Sequence, residues 1–140
     1  MLLKLEKYYI AESCIKAIED FPGGEVDFDV EASGELFVNS EDHDNFRIGM
    51  SINFQKKKGS KKGAVPYSGK VNLIGYFSLT DSVKDEMKEK LLMTNGMSLL
   101  YGAAREHVAS ITSRGPWDSF YLPCVSFRPD EKSVDEKLKK

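Results

Sequence analysis

From Phe46 to Gln55 the chain alternates without a break. Phe46, Ile48, Met50, Ile52 and Phe54 form one set, and Arg47, Gly49, Ser51, Asn53 and Gln55 form the other. Successive side chains of an extended chain point to opposite faces, so a period of two buries one face and wets the other. That pattern specifies an antiparallel strand in a sheet with one covered face.

Two further segments carry the same period. Over Val26 to Ala32, Val26, Phe28 and Val30 face one way and Asp27, Asp29 and Glu31 the other. Val71, Leu73, Gly75, Phe77 and Leu79 make another alternating set, and Ile74 and Tyr76 give it a partly apolar second face. Such a strand is expected to be covered on both sides, by a helix or by a partner chain. Turn-forming residues separate the strands: Phe21-Pro22-Gly23-Gly24, the polar run Ser40 to Asn45, and a lysine loop ending near Pro66. Leu3 to Ile18 reads as a strand through Leu3 and Leu5, or as a helix through Leu2, Glu6, Tyr9, Ser13 and Ala17. Periodicity leaves both open.

After Leu79 the period lengthens. Asp81 and Ser82 are candidate helix caps, with Asp85 and Glu86 suited to the positive end of the helix dipole. Thr94-Asn95-Gly96 interrupts that helix. A second one follows, with Leu100, Ala104, Val108 and Ile111 at helical spacing and small residues Gly102, Ala103 and Ala104 allowing close approach. Ser113-Arg114-Gly115-Pro116 ends it, glycine being able to take a left-handed cap and proline unable to continue. The expectation is an α+β fold: a four-stranded antiparallel sheet with a long apolar helix on one face.

A chain of 140 residues that is 41% hydrophobic and 30% charged fits one domain with its own core. It has no uncharged apolar run of membrane-spanning length, and Lys4, Glu6 and Lys7 interrupt the N-terminal apolar residues before a signal peptide could form. A cytoplasmic protein with no stable membrane insertion is expected. In that setting Cys14 and Cys124, far apart and without CxxC spacing, read as reduced core thiols. A net charge of −2 argues against nucleic-acid binding. The loop from Gln55 to Gly63, with Lys56, Lys57, Lys58, Lys61 and Lys62, has no interleaved aromatic for base stacking and reads as a solvated hairpin loop.

No catalytic constellation emerges, so no enzyme activity, cofactor or metal is expected. His43 lies in the polar turn SEDHDN, where neighbours in sequence rarely converge on one ion. His107 follows Glu106 on a helix, and adjacent helical residues diverge. Neither cysteine neighbours a histidine, FPGGE lacks the lysine and helix of a phosphate loop, and Ser110 and Ser113 have no base at a suitable spacing. The unusual feature is apolar. Ser113 to Phe127 contains Trp117, Phe120, Tyr121, Leu122, Val125 and Phe127, broken by Pro116 and Pro123. Such a segment either packs on its own core or forms a groove that accepts a partner's extended chain.

In that region the chain resembles the SecB family of export chaperones. The matching features are Ala104-Arg105-Glu106 in the long helix, Ser113-Arg114-Gly115 at its end, and an aromatic run closing on Leu122-Pro123 through Phe127. Ser126 stands where the family usually has Asn. EVDFDVE from Glu25 to Glu31 and GYFSL from Gly75 to Leu79 are similar to parts of the family's second and fourth strands. The resemblance covers about residues 4 to 128, giving a SecB-like domain over 1–128 and a polar tail or short helix over 129–140. It implies a Greek-key sheet backed by a long helix, a first segment that is a strand, and assembly into dimers or a homotetramer through sheets and helices. It implies ATP-independent capture of unfolded or precursor polypeptides, including those destined for protein export, on groove residues Phe21, Trp117, Phe120, Tyr121, Leu122 and Val125.

The sequence departs from the family in two places. Glu12 matches an acidic residue that docks the SecA motor ATPase, but Lys16 and Lys70 fall where two others would be acidic. Reversed charge opposes docking of the same partner. Arg128-Pro129 breaks the family's continuation into a second apolar helix. A SecB-fold adaptor dedicated to one partner, such as an antitoxin, is the alternative to a general holdase.

Overall fold

The computed structural model of the chain describes residues 2–57, 65–80 and 82–127. The readings placed on Lys58, Lys61 and Lys62, on Asp81 and on the 129–140 tail lie outside the described residues. Four strands, β1 (Leu3–Ala17), β2 (Phe28–Val38), β3 (Asn45–Lys56) and β4 (Tyr67–Leu79), form one antiparallel sheet in the Greek-key order β1-β4-β3-β2. A helical stretch follows: α1 (Asp85–Leu91), a π turn (Leu92–Gly96) and α2 (Met97–Thr112).

β3 follows its pattern residue by residue. Phe46, Ile48, Met50, Ile52 and Phe54 are buried, joined on the same face by Val71, Leu73, Phe77 and Leu79 of β4. Leu92, Met97, Leu100, Ala104 and Val108 close over them. The apolar row along α2 ends at Thr112, whereas Ile111, expected in that row, is exposed. Gly102 also points away from the sheet, with nothing within 4 Å of a Cβ built there.

β1 is a strand, interrupted by register shifts between Leu5 and Lys7 and between Ile10 and Glu12. Each bulge inserts one residue and moves the alternation by one position. Leu3, Leu5, Tyr8, Ile10, Ser13 and Ile15 therefore share the covered face, opposite Leu79, Phe77, Gly75, Leu73, Val71 and Gly69. The mixed spacing of two and three imitates a helix, which is why the sequence left both readings open.

β2 differs more. Val26 makes only an isolated bridge and is exposed; the strand starts at Phe28 and runs on to Val38. Gly34 interrupts its apolar row because the Met97 thioether fills that space, lying 2.5 Å from where a Cβ would be. The turn before it needs two glycines: Gly23 and Gly24 have φ of 81° and 85°, a region that other residues rarely enter.

The helix also corrects the sequence reading. Thr94-Asn95-Gly96 widens it without breaking it. Backbone angles at Leu91, Gly96 and Met97 stay helical, and the Met97 N–H reaches the Leu92 carbonyl, five residues back. Ser82 caps nothing: its hydroxyl pairs with that of Thr80 at 2.8 Å, and the residue before the helix is Lys84. Lys88 pins the start of the helix to the β2–β3 turn through Asp44 at 2.9 Å and Asp85 at 3.0 Å. Gly115 has no left-handed backbone; a Cβ there would lie 2.2 Å from the Tyr67 hydroxyl, and this close approach is what requires glycine.

The outer sheet face carries no helix among the described residues. Ile74 and Tyr76, expected to be covered, are half-buried there, with Tyr9 at 6.5 Å and the Lys7 ammonium at 5.1 Å from the Tyr76 ring. Cys14 and Cys124 are both exposed, so neither is a core thiol. No helix of the described residues is long and apolar enough to cross a membrane.

Candidate functional site

The segment after α2 folds back along the helix, held by backbone groups. Arg105 Nε donates to the Leu122 carbonyl at 2.9 Å, and the Tyr101 hydroxyl donates to the Pro123 carbonyl at 2.7 Å. Phe127 packs edge-on against Tyr101 at 5.8 Å. Nearer the turn, the Thr112 hydroxyl donates to the Val108 carbonyl at 2.7 Å and accepts the Phe120 N–H at 2.8 Å. The Phe120 ring then reaches the sheet, stacked on Phe54 at 5.6 Å and edge-on to Phe28 at 4.8 Å.

Burial pushes the Tyr101 phenol from its ordinary 10.0 up to about 12. An unfolded chain ionises that group near 10.0 while the fold keeps it neutral. The stabilising preference is therefore complete below 10.0 and is lost as the pH rises towards 12. Tyr101→Phe should flatten the fall of the melting temperature between those two pH values. An identical fall in both proteins would show that Tyr101 does not drive it.

Beside this packed segment lies an apolar groove of about 620 Å³. Its walls are Phe21 and Val26 of the β1–β2 connection, Phe28 of β2, and Trp117, Phe120 and Tyr121 of the returning segment. Phe21 meets Trp117 edge to face at 5.3 Å. Trp117 is fixed by its indole N–H on the Ile18 carbonyl, 3.1 Å away, and by its backbone N–H on the Tyr67 hydroxyl, 3.1 Å away. Tyr121 stands 67% exposed at the rim. Asp118 is the one charged residue among the described lining.

The structure thus gathers Phe21, Trp117, Phe120 and Tyr121 in one groove, although Phe120 is only 6% exposed. Leu122, expected there, is 1% exposed and belongs to the core; Val125 is exposed but outside the groove. Val26, Phe28 and the Gly23-Gly24 turn are lining that sequence reasoning missed. The signal was an alternating apolar set that began before the strand did.

A second groove of about 670 Å³ lies at the far end of β2, lined by Leu36, Val38 and Phe46 with His43, Lys88 and Glu89 at its rim. β2 is an edge strand, so the two grooves flank a backbone edge that no strand among the described residues pairs.

Ser13 and His107, apart in sequence, lie 2.8 Å apart across β1 and α2. The pair is exposed and lies outside both grooves. Among the described residues no three His, Cys, Asp or Glu side chains cluster to hold a metal. On the outer face Glu12 is engaged by Lys70 at 3.1 Å and by the Asn72 amide at 2.8 Å.

No protein-family model and no curated protein matches the chain. Among solved structures it is similar to the Mycobacterium tuberculosis Rv1957 SecB-like chaperone in complex with a ChAD peptide from the Rv1956 HigA1 antitoxin. The TM-score is 0.68 at 14% identity, covering 89% of this chain and 91% of that one. A protein of unknown function from Streptococcus agalactiae matches with a TM-score of 0.42 at 13% identity, over 86% of this chain and 96% of that one, too low to carry an argument. The first likeness shows the fold: this chain has the SecB-like architecture, an antiparallel four-stranded sheet with a helix packed on it.

Proposed function

We propose that this protein is an ATP-independent chaperone that holds extended, unfolded polypeptide segments. The observation that carries the reading is the pair of apolar grooves at the two ends of the unpaired β2 edge. From Phe28 to Leu36 an extended backbone spans roughly 26 Å at about 3.3 Å per residue. A compact ligand would fill one groove; an extended chain would bury apolar side chains in both and pair its backbone with the edge. Each large apolar side chain buried contributes about 1.5–3 kcal/mol, so a few contacts give useful affinity without a fixed client shape.

Aggregation suppression tests it. Several unrelated unfolded proteins, diluted without ATP, should scatter less light when the chain is present near stoichiometric amounts. Unsuppressed aggregation of all of them would discard the holdase reading. Protection of a single client would favour a dedicated adaptor, a reading supported by the antitoxin peptide bound to the structurally similar chaperone.

The cytoplasm is part of this reading, since there a polypeptide awaiting export is still unfolded. Handover to SecA is disfavoured, because Lys16 and Lys70 are cationic and Glu12 is already paired with Lys70.

Self-association is part of the proposal too. β1 is the other sheet edge, and the apolar side chains Tyr8, Leu99 and Ile111 are exposed around it and on α2. A dimer through β1 edges and a tetramer through α2 faces would cover them. The native protein should sediment as one of these, and Leu99→Glu with Ile111→Glu should lower its mass by one level. A native monomer at micromolar concentration would refute this.

A further inference from the structure

We infer that Tyr67 is a positioning residue for the Trp117 groove. Its hydroxyl fixes the Trp117 backbone, and through it the aromatic wall that a client would meet. The inference rests on the polypeptide-binding reading and adds which buried group sets the shape of that site.

Tyr67 begins β4 and is 2% exposed, so its ring is anchored in the sheet and packs beside Phe120 at 6.3 Å. Packing alone would be met by phenylalanine. The hydroxyl reaches past the ring to the turn after α2, where it accepts the Trp117 N–H at 3.1 Å. Its own proton lies between the carbonyls of Thr112 and Trp117, each 3.2 Å away. A buried hydroxyl is costly unless its bonds are made, and here both its donor and its acceptor capacity are directed at the groove segment. Gly115 lets the turn come this close, since a Cβ there would lie 2.2 Å from that oxygen.

The other end of Trp117 is held independently. The Ile18 carbonyl accepts the indole N–H at 3.1 Å and also the Phe21 N–H at 3.3 Å. Both aromatic walls that meet edge to face therefore hang on one carbonyl, and the Tyr67 hydroxyl sets where the indole is presented to it. Without the hydroxyl, the Trp117 N–H and the turn lose their fixed partner while the core ring remains.

Tyr67→Phe tests this, read by Trp117, which is the single tryptophan of the chain. In the folded variant, Trp117 emission should move to longer wavelength and iodide quenching should rise. Binding of a reduced, carboxymethylated unfolded protein should weaken about fivefold, because an aromatic wall no longer held in place must be ordered when the client binds. A purely structural role would lower the melting temperature and leave the emission of the folded protein unchanged; that result would overturn the inference. If Tyr67→Phe does not fold, Gly115→Ala, which presses a methyl against the same hydroxyl, is read by the same criterion. Shifted emission in a variant whose native parent binds no unfolded protein would uphold the positioning role and reject the binding reading alone.

Discussion

An unfolded client is expected to bind the Trp117→Ser/Tyr121→Ser variant at least about thirtyfold more weakly than the native chain. Truncating a central aromatic at a polypeptide interface typically costs about 2 kcal/mol or more, and about 1.4 kcal/mol is a factor of ten. Trp117 forms one wall of the groove and Tyr121 stands at its rim. Phe120 and Leu122 are poor choices for this test, because both are buried in the core and their loss would unfold the chain. Trp117 also anchors the Ile18 carbonyl, so its removal costs some stability. Tyr121→Ser alone, at an exposed position, provides the comparison in which affinity falls and the melting curve does not. Anisotropy of a labelled, permanently unfolded protein reports the affinity. An unchanged dissociation constant in a folded double variant would remove this groove from the account.

The largest effect on stability is expected at Gly69. A Cβ there would lie 2.4 Å from the Cys14 carbonyl oxygen and 3.0 Å from the Ile15 Cα. These are backbone atoms of β1, paired with β4 at this point, and they cannot turn aside as a side chain can. Gly69→Ala should force β1 away from β4 and destabilise the fold by about 3 kcal/mol, at the upper end of ordinary overpacking. That is a large part of the roughly 5–15 kcal/mol that holds a typical domain together. Gly34→Ala is the contrast. Its Cβ would meet the Met97 thioether at 2.5 Å, the flexible end of a side chain, and the cost should be nearer about 1 kcal/mol. Urea unfolding of the two variants checks the order, and a Gly69→Ala protein as stable as the native one would show that β1 yields easily.

What the sequence disclosed depended on whether a period ran unbroken. β3 and β4 do so, and their buried faces could be read directly. β1 has two bulges that shift its phase, and β2 has Gly34 where Met97 intrudes and Phe37 on its outer face, so strand type or length was lost. Gly115 was assigned to the helix end for the wrong reason, because its true neighbour, Tyr67, is distant in sequence. In the site, the concentration of aromatics pointed to the groove segment. Its irregular backbone has no period, so nothing local told Tyr121, which faces out, from Leu122, which faces in. Tyr67 left no sequence signal at all: its hydroxyl acts on residues 45 and 50 positions away.

The central claim is that the groove beside Trp117 receives an extended polypeptide, and photocrosslinking tests it most directly. A photoreactive residue at Tyr121 in the groove is compared with one at Lys16 on the opposite sheet face, each illuminated with an unfolded protein. The account predicts crosslinks from position 121 that an excess of unlabelled client abolishes, and few from position 16. Client captured in solution with no crosslink at 121, or with equal crosslinking at both positions, would contradict it.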